Sequence, residues 1–396
     1  MSKVLNYKID LASFTIAIFP ILSPYSLSGI PLTWIFGSIM CIYSLIFIKK
    51  RFSINILDYF IFHFLIFLIS INGIFLLNDI SSLIYSILGG IINIVIYFIL
   101  WVSSDCGKVI KYANFFGCIC VGFAIYQCIV SSLGGSVSNG LIPFLELNSG
   151  QGWVETTWGY RFNSLFSEPS YFAIYLLPIF SINYIKKKNF YIIIFGIGLL
   201  LSSSSLGIIG MGVIIFWQGF LKLRKFLFNF LLISILAYII YCLISYIPKL
   251  QVIFKQTLFK LKNINSKEND IRFLGYIHYY FKYPFKELIF GVGLSQFQNY
   301  CNMKGISVFN YSNSFVITLL QSGFLGIIIL VKILFKILKK AWKNGTMLLF
   351  IIFFMIMSVD YIIFSDRYFY LIYFIIYFNF SKNIKINNNL TGNLLF

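Results

Sequence analysis

Charge is what this chain of 396 residues has least of. Charged residues make up 11% of it, against about 25% in a typical soluble domain, and 12 Asp and Glu stand against 31 Lys and Arg. Hydrophobic residues reach 59%, and the mean hydropathy is +0.88. The apolar runs leave no room for a separate soluble domain. Residues 1–396 are therefore predicted to form a single all-α, polytopic membrane domain.

The apolar runs themselves are almost free of ionisable side chains. Asp58 and His63, both in the third run, are the main exceptions. Asp58 is expected near the cytoplasmic edge, where water reaches it, and His63 is interpreted as a hydrogen-bonded structural histidine rather than a proton relay. Proton- or ion-coupled transporters need charged groups along a pathway through the membrane. Their scarcity here argues against a coupled transporter.

The seven cysteines supply neither a disulfide framework nor a metal-binding pattern. Most lie in apolar runs, where cysteine behaves as a small hydrophobic residue. Cys118 and Cys120 form a C-x-C rather than a C-x-x-C, and Cys301 has no second cysteine in its own loop. Residues 1–28 also lack a small-residue cleavage site after a short apolar stretch. The first helix is therefore expected to remain as an anchor.

What the chain does contain is a series of about twelve apolar runs, each close to the roughly 20 residues that a helix needs to cross a bilayer. Ten of them are predicted at 9–28, 31–48, 55–76, 81–101, 112–132, 169–185, 226–247, 313–331, 346–361 and 368–380. Two more form a tight pair around the serines at 202–205, and the chain is predicted to turn at Asp366-Arg367 between the last two.

Lysine and arginine cluster in the short segments between alternate runs, as is typical of cytoplasmic loops. With both termini in the cytoplasm, the basic residues left on the outer side are Arg161, Arg367 and those of a long loop at 248–312. Membrane orientation thus explains most of the formal net charge of +19, and nucleic acid is not an expected partner.

The first large outer loop, 133–167, leads into the sequence R-F-N-S-L-F-S-E-P-S, which begins at Arg161. Ser167 is predicted to cap a helix with Glu168 and Pro169 in its first turn, and this local preference alone would explain the acidic residue. An arginine at a lipid–water boundary is costly unless it is used or well solvated, which favours a function for Arg161. The aromatic residues of the loop suit either an interfacial belt or stacking on sugar rings.

The second large outer loop, 248–312, is strongly basic, with nine Lys or Arg and three acidic residues. Apolar residues recur at helical spacing in 250–264, which predicts an amphipathic helix on the membrane surface. Such a loop attracts anionic headgroups and would also draw in a polyanionic, lipid-linked substrate. Arg272 differs from the neighbouring lysines because its planar guanidinium grips phosphate oxygens bidentately.

The order and sidedness of these motifs resemble those of the O-antigen polymerase (Wzy-type) and O-antigen ligase superfamily. R-x6-E-P-S starts at Arg161, a basic outer loop with an internal arginine follows, and G-x-G at Gly291 precedes an Asn-led helix with G-x-x-G at Gly323. The resemblance covers about 155–330. It implies about twelve spans in a GT-C-like fold in a bacterial inner (plasma) membrane. In the superfamily's ligases a histidine precedes the asparagine, whereas Ser312 stands here, which favours the polymerase.

The resemblance implies that a growing glycan leaves undecaprenyl diphosphate and joins the sugar of an incoming lipid-linked repeat unit. Arg161 and Arg272 would stabilise the departing diphosphate. Glu168 is the first candidate for a general base and His278 the second, but Glu168 would equally well only orient Arg161. No acidic pair of the D-x-D kind lies on the outer side, so neither a metal nor another cofactor is expected.

Further contacts with the diphosphate or the glycan are expected from Lys282, Gly293, Ser312 and Asn313. The implied partners are the lipid-linked oligosaccharide, membrane lipids, a chain-length regulator and a flippase. Three alternatives stay open. The first is a ligase-type glycan transferase of the same superfamily. The second is a flippase for lipid-linked oligosaccharides, which should line a central cavity with charges inside its spans. The third is a structural membrane partner of a polysaccharide assembly complex.

Overall fold

The computed structural model describes residues 2–47, 54–70, 80–135, 145–147, 161–220, 277–294, 296–304 and 313–378. Over these residues the chain is mostly helical, and three helical segments are long and apolar enough to cross a membrane: Ser86–Ser103, Cys106–Ser132 and Ser314–Asn344. Shorter apolar helices accompany them. The chain is a helical membrane protein, as its composition predicts.

Elements are numbered in chain order over the described residues. The first eight helices are α1 (Ser2–Leu22), α2 (Leu32–Phe47), α3 (Ile54–Ser70), α4 (Ile80–Ser103), α5 (Cys106–Ser132), α6 (Pro169–Ile185), α7 (Asn189–Leu201) and α8 (Ser205–Phe220). The later helices are α9 (Ile277–Tyr280), α10 (Phe285–Phe290), α11 (Phe297–Met303), α12 (Ser314–Asn344), α13 (Met347–Val359) and α14 (Asp366–Tyr377). Three short strands, β1 (Tyr25–Leu27), β2 (Ile30–Pro31) and β3 (Glu146–Leu147), pair antiparallel in the order β2-β1-β3.

Most helices follow the predicted apolar runs closely, because the runs mark where a chain can bury its backbone in lipid. The first differs: α1 covers Ser2–Leu22, and β1 occupies the end of the predicted run 9–28. Helix α6 has the predicted bounds 169–185. Helix α12 begins near the predicted start but continues beyond 331 to Asn344, since Leu, Lys and Ala in its second half are strong helix formers. The predicted run at 226–247 and the amphipathic helix at 250–264 lie outside the described residues.

One predicted turn was wrong. Asp366 and Arg367 do not connect two helices but form the first turn of α14. The reason is the serine before them: Ser365 has an extended backbone, and its side chain accepts a hydrogen bond from the Tyr368 N–H at 3.4 Å. A serine in that position satisfies a donor that the helix start would otherwise leave unpaired. The turn therefore ends at Ser365.

The chain divides into two compact units. Unit 1 comprises Met1–Ile16, Phe36–Val109 and Lys267–Phe396, and unit 2 comprises Ala17–Ile35 and Ile110–Ser266. Each is described by its own contacts below.

Unit 2 is built around α6, most of whose side chains are buried. Two of its buried polar side chains form hydrogen bonds to neighbouring helices, as burial in an apolar interior favours. Asn183 donates from Nδ2 to Asn114 Oδ1 at 2.6 Å, and the Tyr175 hydroxyl donates to the Ala17 carbonyl at 3.1 Å. These bonds fix the rotation of α6 against α1 and α5.

Unit 1 has α12 and α14 at its core. Helix α12 packs against α3, α10, α13 and α14, and the aromatic side chains of α14 are buried almost completely. His63 of α3 bonds into this core, with Nδ1 contacting the Tyr59 carbonyl and Nε2 lying 2.7 Å from the Tyr368 hydroxyl. A carbonyl only accepts, so Nδ1 carries the proton and Nε2 accepts from Tyr368. This is the geometry of the structural histidine predicted from the sequence.

Replacing His63 tests this role. His63→Leu should destabilise the protein by about 1–3 kcal/mol, because it leaves the buried Tyr368 hydroxyl without its acceptor. Tyr368→Phe should lower the free energy of unfolding less in the His63→Leu background than in the parent protein. The difference, which is the coupling energy between the two sites, should be about 0.5–3 kcal/mol. Unfolding of the purified protein in mild detergent measures both values. Strictly additive effects would contradict the proposed bond.

Candidate functional site

The segment that follows Arg161 is a buried loop of unit 2 held by one glutamine of α5. The Ser164 N–H donates to Gln127 Oε1 at 2.9 Å, and Gln127 Nε2 donates to Asn163 Oδ1 at 3.1 Å. Ser164 Oγ donates to the Cys120 carbonyl at 2.6 Å. Both ends of the Gln127 amide thus bind the loop. The loop is fixed by hydrogen bonds to a helix rather than by its own secondary structure.

A second anchor holds the same loop from the N-terminal part of the chain. The hydroxyl of Tyr25, in β1, donates to the Leu165 carbonyl at 2.8 Å. The Phe166 ring lies between Phe172 and Tyr175 of α6, with ring centroids 5.8 and 5.5 Å away. The half-buried residues Arg161 and Glu168 therefore sit at the two ends of a rigid eight-residue loop.

Glu168 occupies the N-cap position of α6. The prediction of Ser167 at this position was wrong by one residue. Glu168 has an extended backbone (φ −139°, ψ 148°), and α6 begins at Pro169. Proline forces the residue before it away from helical angles and itself fits the first helical position. Glu168 therefore has to be the last non-helical residue. Its carboxylate does not cap the backbone; Oε2 accepts instead from Ser170 Oγ at 3.0 Å.

In unit 1 the two glycine motifs of the sequence meet each other. Helix α12 is broken at Gly323, whose backbone (φ 63°, ψ −163°) is not helical. Gly291, just after α10, has a similar conformation (φ 75°, ψ −178°). Both lie in a region that is essentially restricted to glycine. A Cβ atom added to Gly291 would lie 2.3 Å from the Gln321 carbonyl, and one added to Gly323 would lie 2.3 Å from the Ile289 carbonyl.

Backbone hydrogen bonds complete this contact, which we call the glycine junction (residues 289–293 with 320–323). The Val292 N–H donates to the Leu320 carbonyl at 3.1 Å, and the Gly293 N–H donates to the Gln321 carbonyl at 2.9 Å. Breaking a helix deprives carbonyls of their partners, and an unpaired group in an apolar medium costs several kcal/mol. The G-x-G segment supplies the donors that α12 lacks.

Polar side chains surround the glycine junction. Ser322 Oγ lies 2.6 Å from the Oγ of Ser70 at the end of α3. The Tyr361 hydroxyl, from the turn before α14, donates to Gln321 Oε1 at 3.4 Å. Neither Gln321 nor Ser322 is a predicted site residue. The signal for them is a pair of polar residues inside an apolar run, directly before a glycine.

Asn313 starts α12 as its N-cap. Its Oδ1 accepts from the Val316 N–H at 2.9 Å. The next residue, Ser314, donates from Oγ to the Asp360 carbonyl at 2.7 Å and accepts from the Ile362 N–H at 3.1 Å. Asn313 is therefore held in place by its capping role, and the helix start is tied to the turn between α13 and α14.

The segment around α9–α11 buries an acidic residue. Glu287 is only 7% exposed, and within the described part of the chain its Oε2 has no hydrogen-bond partner. The Tyr283 hydroxyl beside it has none there either. Burial raises the pKa of Tyr283 well above its ordinary value, and Cys301, Tyr300 and Glu287 raise it further. A buried carboxylate is costly unless it is paired or used, so Glu287 is a functional candidate that sequence reasoning missed.

The structure describes only some of the other predicted site residues. Lys282 is exposed, with its ammonium 5.5 Å from the centre of the Tyr279 ring. His278 lies in α9, and Gly293 belongs to the glycine junction. Arg272 and Ser312 lie outside the described residues. The structure therefore groups Arg161 with Glu168 on one loop, and Gly293 with the broken helix that Asn313 caps.

Comparisons of the chain with protein-family models, with curated proteins and with solved structures return no match.

The glycine junction predicts an intolerance to even one added carbon. Gly323→Ala should destabilise the protein by at least about 2 kcal/mol, because it combines a glycine-only backbone with a clash against the Ile289 carbonyl. Gly212→Ala in α8 is the matched control, since an added Cβ there meets nothing within 4 Å. The control should be neutral or stabilising by about 0.5–1 kcal/mol. Equal unfolding midpoints for the two variants in detergent would contradict the close backbone contact at Gly323.

Cys301 gives a chemical test of the packing around α11. It is buried, and burial raises the pKa of its thiol to about 11. Only the thiolate reacts, so at pH 8 roughly one thiol in a thousand is reactive. With Cys301 as the sole cysteine, maleimide labelling in membranes should be slow at pH 8 and should quicken as the pH rises towards 11. Lys282→Cys, as the sole cysteine at an exposed position, serves as the control. Equal labelling rates for the two proteins would show that Cys301 is not buried.

Proposed function

We propose that the protein is a membrane glycan polymerase that transfers a growing glycan from undecaprenyl diphosphate to the sugar of an incoming lipid-linked repeat unit. One observation carries the proposal. The resemblance to O-antigen polymerases relates the G-x-G and G-x-x-G motifs only by their order. In the fold, G-x-G donates backbone hydrogen bonds to Leu320 and Gln321, just before G-x-x-G, and packs against the backbone of Gly323. A fixed junction between an outer segment and a broken helix is a suitable frame for a binding site.

The proposed topology has about twelve spans in a GT-C-like fold, with both termini in the cytoplasm of a bacterium and the two large loops outside the inner membrane. Three long apolar helices, the shorter apolar helices and the clustering of Lys and Arg between alternate runs support it. Under this topology the loop from Arg161 to Glu168 and the glycine junction both belong to the outer half of the protein.

The proposed reaction is a displacement at the anomeric carbon of the donor sugar. A hydroxyl oxygen of the acceptor sugar forms the new glycosidic bond while the bond from the anomeric carbon to the diphosphate breaks. The electron pair leaves with the diphosphate, and the acceptor proton passes to a base. Arg161 and Arg272 stabilise the charge on the leaving diphosphate. Lys282, Ser312 and Asn313 are proposed to help to hold the diphosphate or the glycan.

Three residues are candidates for the base. Glu168 has a fixed carboxylate next to the rigid loop that carries Arg161, but the same geometry suits a residue that only orients the arginine. His278 lies in α9, close in sequence to the glycine junction. Glu287 adds a buried carboxylate directly before that junction. A general base has to exchange a proton with the acceptor, so its replacement should change the pH dependence of the reaction.

Deletion of the gene followed by gel analysis of the surface polysaccharide separates this proposal from its rivals. Loss of a polymerase leaves a single repeat unit on the acceptor. Loss of a ligase-type transferase leaves no glycan attached, and loss of a flippase leaves repeat units trapped on the cytoplasmic side. Either of the last two patterns would refute a polymerase.

Complementation with point variants then tests the residues. Arg161→Ala and Arg272→Ala should reduce polymer formation by about a hundred- to a thousandfold, the usual effect of removing one group that stabilises developing charge. Gly212→Ala serves as a matched control for expression and membrane insertion. Among Glu168→Gln, His278→Gln and Glu287→Gln, the base is the one whose loss abolishes the acidic limb of the pH–rate profile. Normal polymer length in both arginine variants, at normal protein levels, would refute the proposed site.

A further inference from the structure

The second half of α12 carries a basic stripe that the proposed glycan chemistry does not use. Lys332, Lys336, Lys339 and Lys343 are spaced so that they fall within about 60° on one side of the helix. Lys332 and Lys339 are exposed. Only one acid pairs with the stripe in the described part of the chain: Asp58 of α3 accepts from Lys336 at 2.5 Å. Among the described residues, the other three lysines of the stripe form no ion pair.

The stripe borders an open cleft between α12 and α3. The cleft has a volume of about 310 Å³ and is lined by Phe62, Lys332, Phe335, Lys336 and Lys339. Two of the lining residues, Phe62 and Phe335, are aromatic, and the Lys336 ammonium lies 4.8 Å from the centre of the Phe62 ring. A cleft lined by lysines and aromatic rings matches a ligand that has an anionic head and an apolar body.

The position of the stripe along α12 fits the surface of a membrane. Lys332 lies 18 residues after Ser314, so the two helical parts on either side of the break at Gly323 have a combined length of about 27 Å at 1.5 Å per residue. The hydrocarbon core of a bilayer is about 30 Å thick. A helix that enters the core near Ser314 therefore leaves it near Lys332, and the following lysines reach the headgroup layer.

Exposed aromatic residues on the same side of α12 point to lipid rather than to water. Phe335 is 66% exposed and Trp342 is 76% exposed. Large aromatic rings of this kind are enriched at the level of lipid headgroups. Phe335 and Trp342 lie beside one edge of the lysine stripe, about 40° and 60° away around the helix. Exposed rings next to lysines are unsuited to a purely solvated face, because water does not favour the rings.

We propose that this cleft binds the phosphate headgroup of an anionic phospholipid where α12 leaves the bilayer, with Lys332 and Lys339 contacting the phosphate and Phe62 and Phe335 contacting the acyl chains. Lys336 shares its charge between Asp58 and the lipid. The site tethers the inner end of the helix whose other half forms the glycine junction. Basic pockets between membrane helices at the cytoplasmic face are suited to such headgroups.

Native mass spectrometry of the purified full-length protein in mild detergent tests this. Phosphatidylglycerol, cardiolipin, phosphatidylethanolamine and inorganic phosphate are titrated separately. Lys332→Gln/Lys339→Gln should bind phosphatidylglycerol and cardiolipin about thirtyfold more weakly, which corresponds to about 1 kcal/mol per lysine. Lys336 is left in place, because its removal would leave Asp58 without its ion pair.

Two matched variants serve as controls. Lys332→Arg/Lys339→Arg keeps the charges and should keep the binding. Lys111→Gln/Lys188→Gln removes two exposed lysines elsewhere and should also leave the binding unchanged. Three results would overturn the proposal: equal affinity of the parent protein for phosphatidylethanolamine, unchanged affinity for anionic lipid in Lys332→Gln/Lys339→Gln, or saturation of the same site by inorganic phosphate.

Discussion

The contact between two glycine backbones determines how unit 1 is arranged. Gly291 and Gly323 approach so closely that neither has room for a Cβ atom, and both adopt angles that other residues avoid. Val292 and Gly293 stabilise the resulting break in α12, because they donate hydrogen bonds to the carbonyls on its N-terminal side. The hydrogen bonds of Ser70 to Ser322 and of Tyr361 to Gln321 depend in turn on where the break lies.

The loop from Arg161 to Glu168 follows a different principle. No glycine lies in it, and its shape depends on side chains: Gln127 bonds it from α5 and Tyr25 bonds it from β1. Pro169 then fixes the point at which α6 can begin. Two charged residues are held at the ends of this loop without an ordered strand or helix between them. Preorganised charges of this kind are what a diphosphate leaving group would require.

The positions of the helices could be predicted from the sequence because hydropathy reports directly on burial in lipid. The exact starts of helices, which depend on one neighbouring residue, were harder to predict. The N-cap of α6 is Glu168 and not the predicted Ser167, because Pro169 follows it. Asp366, predicted in a turn, begins a helix because Ser365 caps it. Both rules are local, so they could have been applied to the sequence.

The glycine junction and the burial of Glu287 could not be predicted in this way. Gly291 and Gly323 are 32 positions apart, and each motif alone fits a turn or a close helix contact equally well. Nothing in the sequence around Glu287 separates it from a solvated acid in a basic loop. Both features depend on contacts between distant segments, and such contacts appear only once the chain is folded.

The glycine junction is held by backbone hydrogen bonds, so its structure does not depend on the side chains around it. Main-chain donors and acceptors hold residues 289–293 against α12, and they are the same whatever side chains the neighbouring positions carry. Exposed residues such as Lys282 can therefore be exchanged without loosening the frame that supports them. Surface substitutions next to the glycine junction can therefore change the chemistry of this part of the protein while its backbone geometry stays the same.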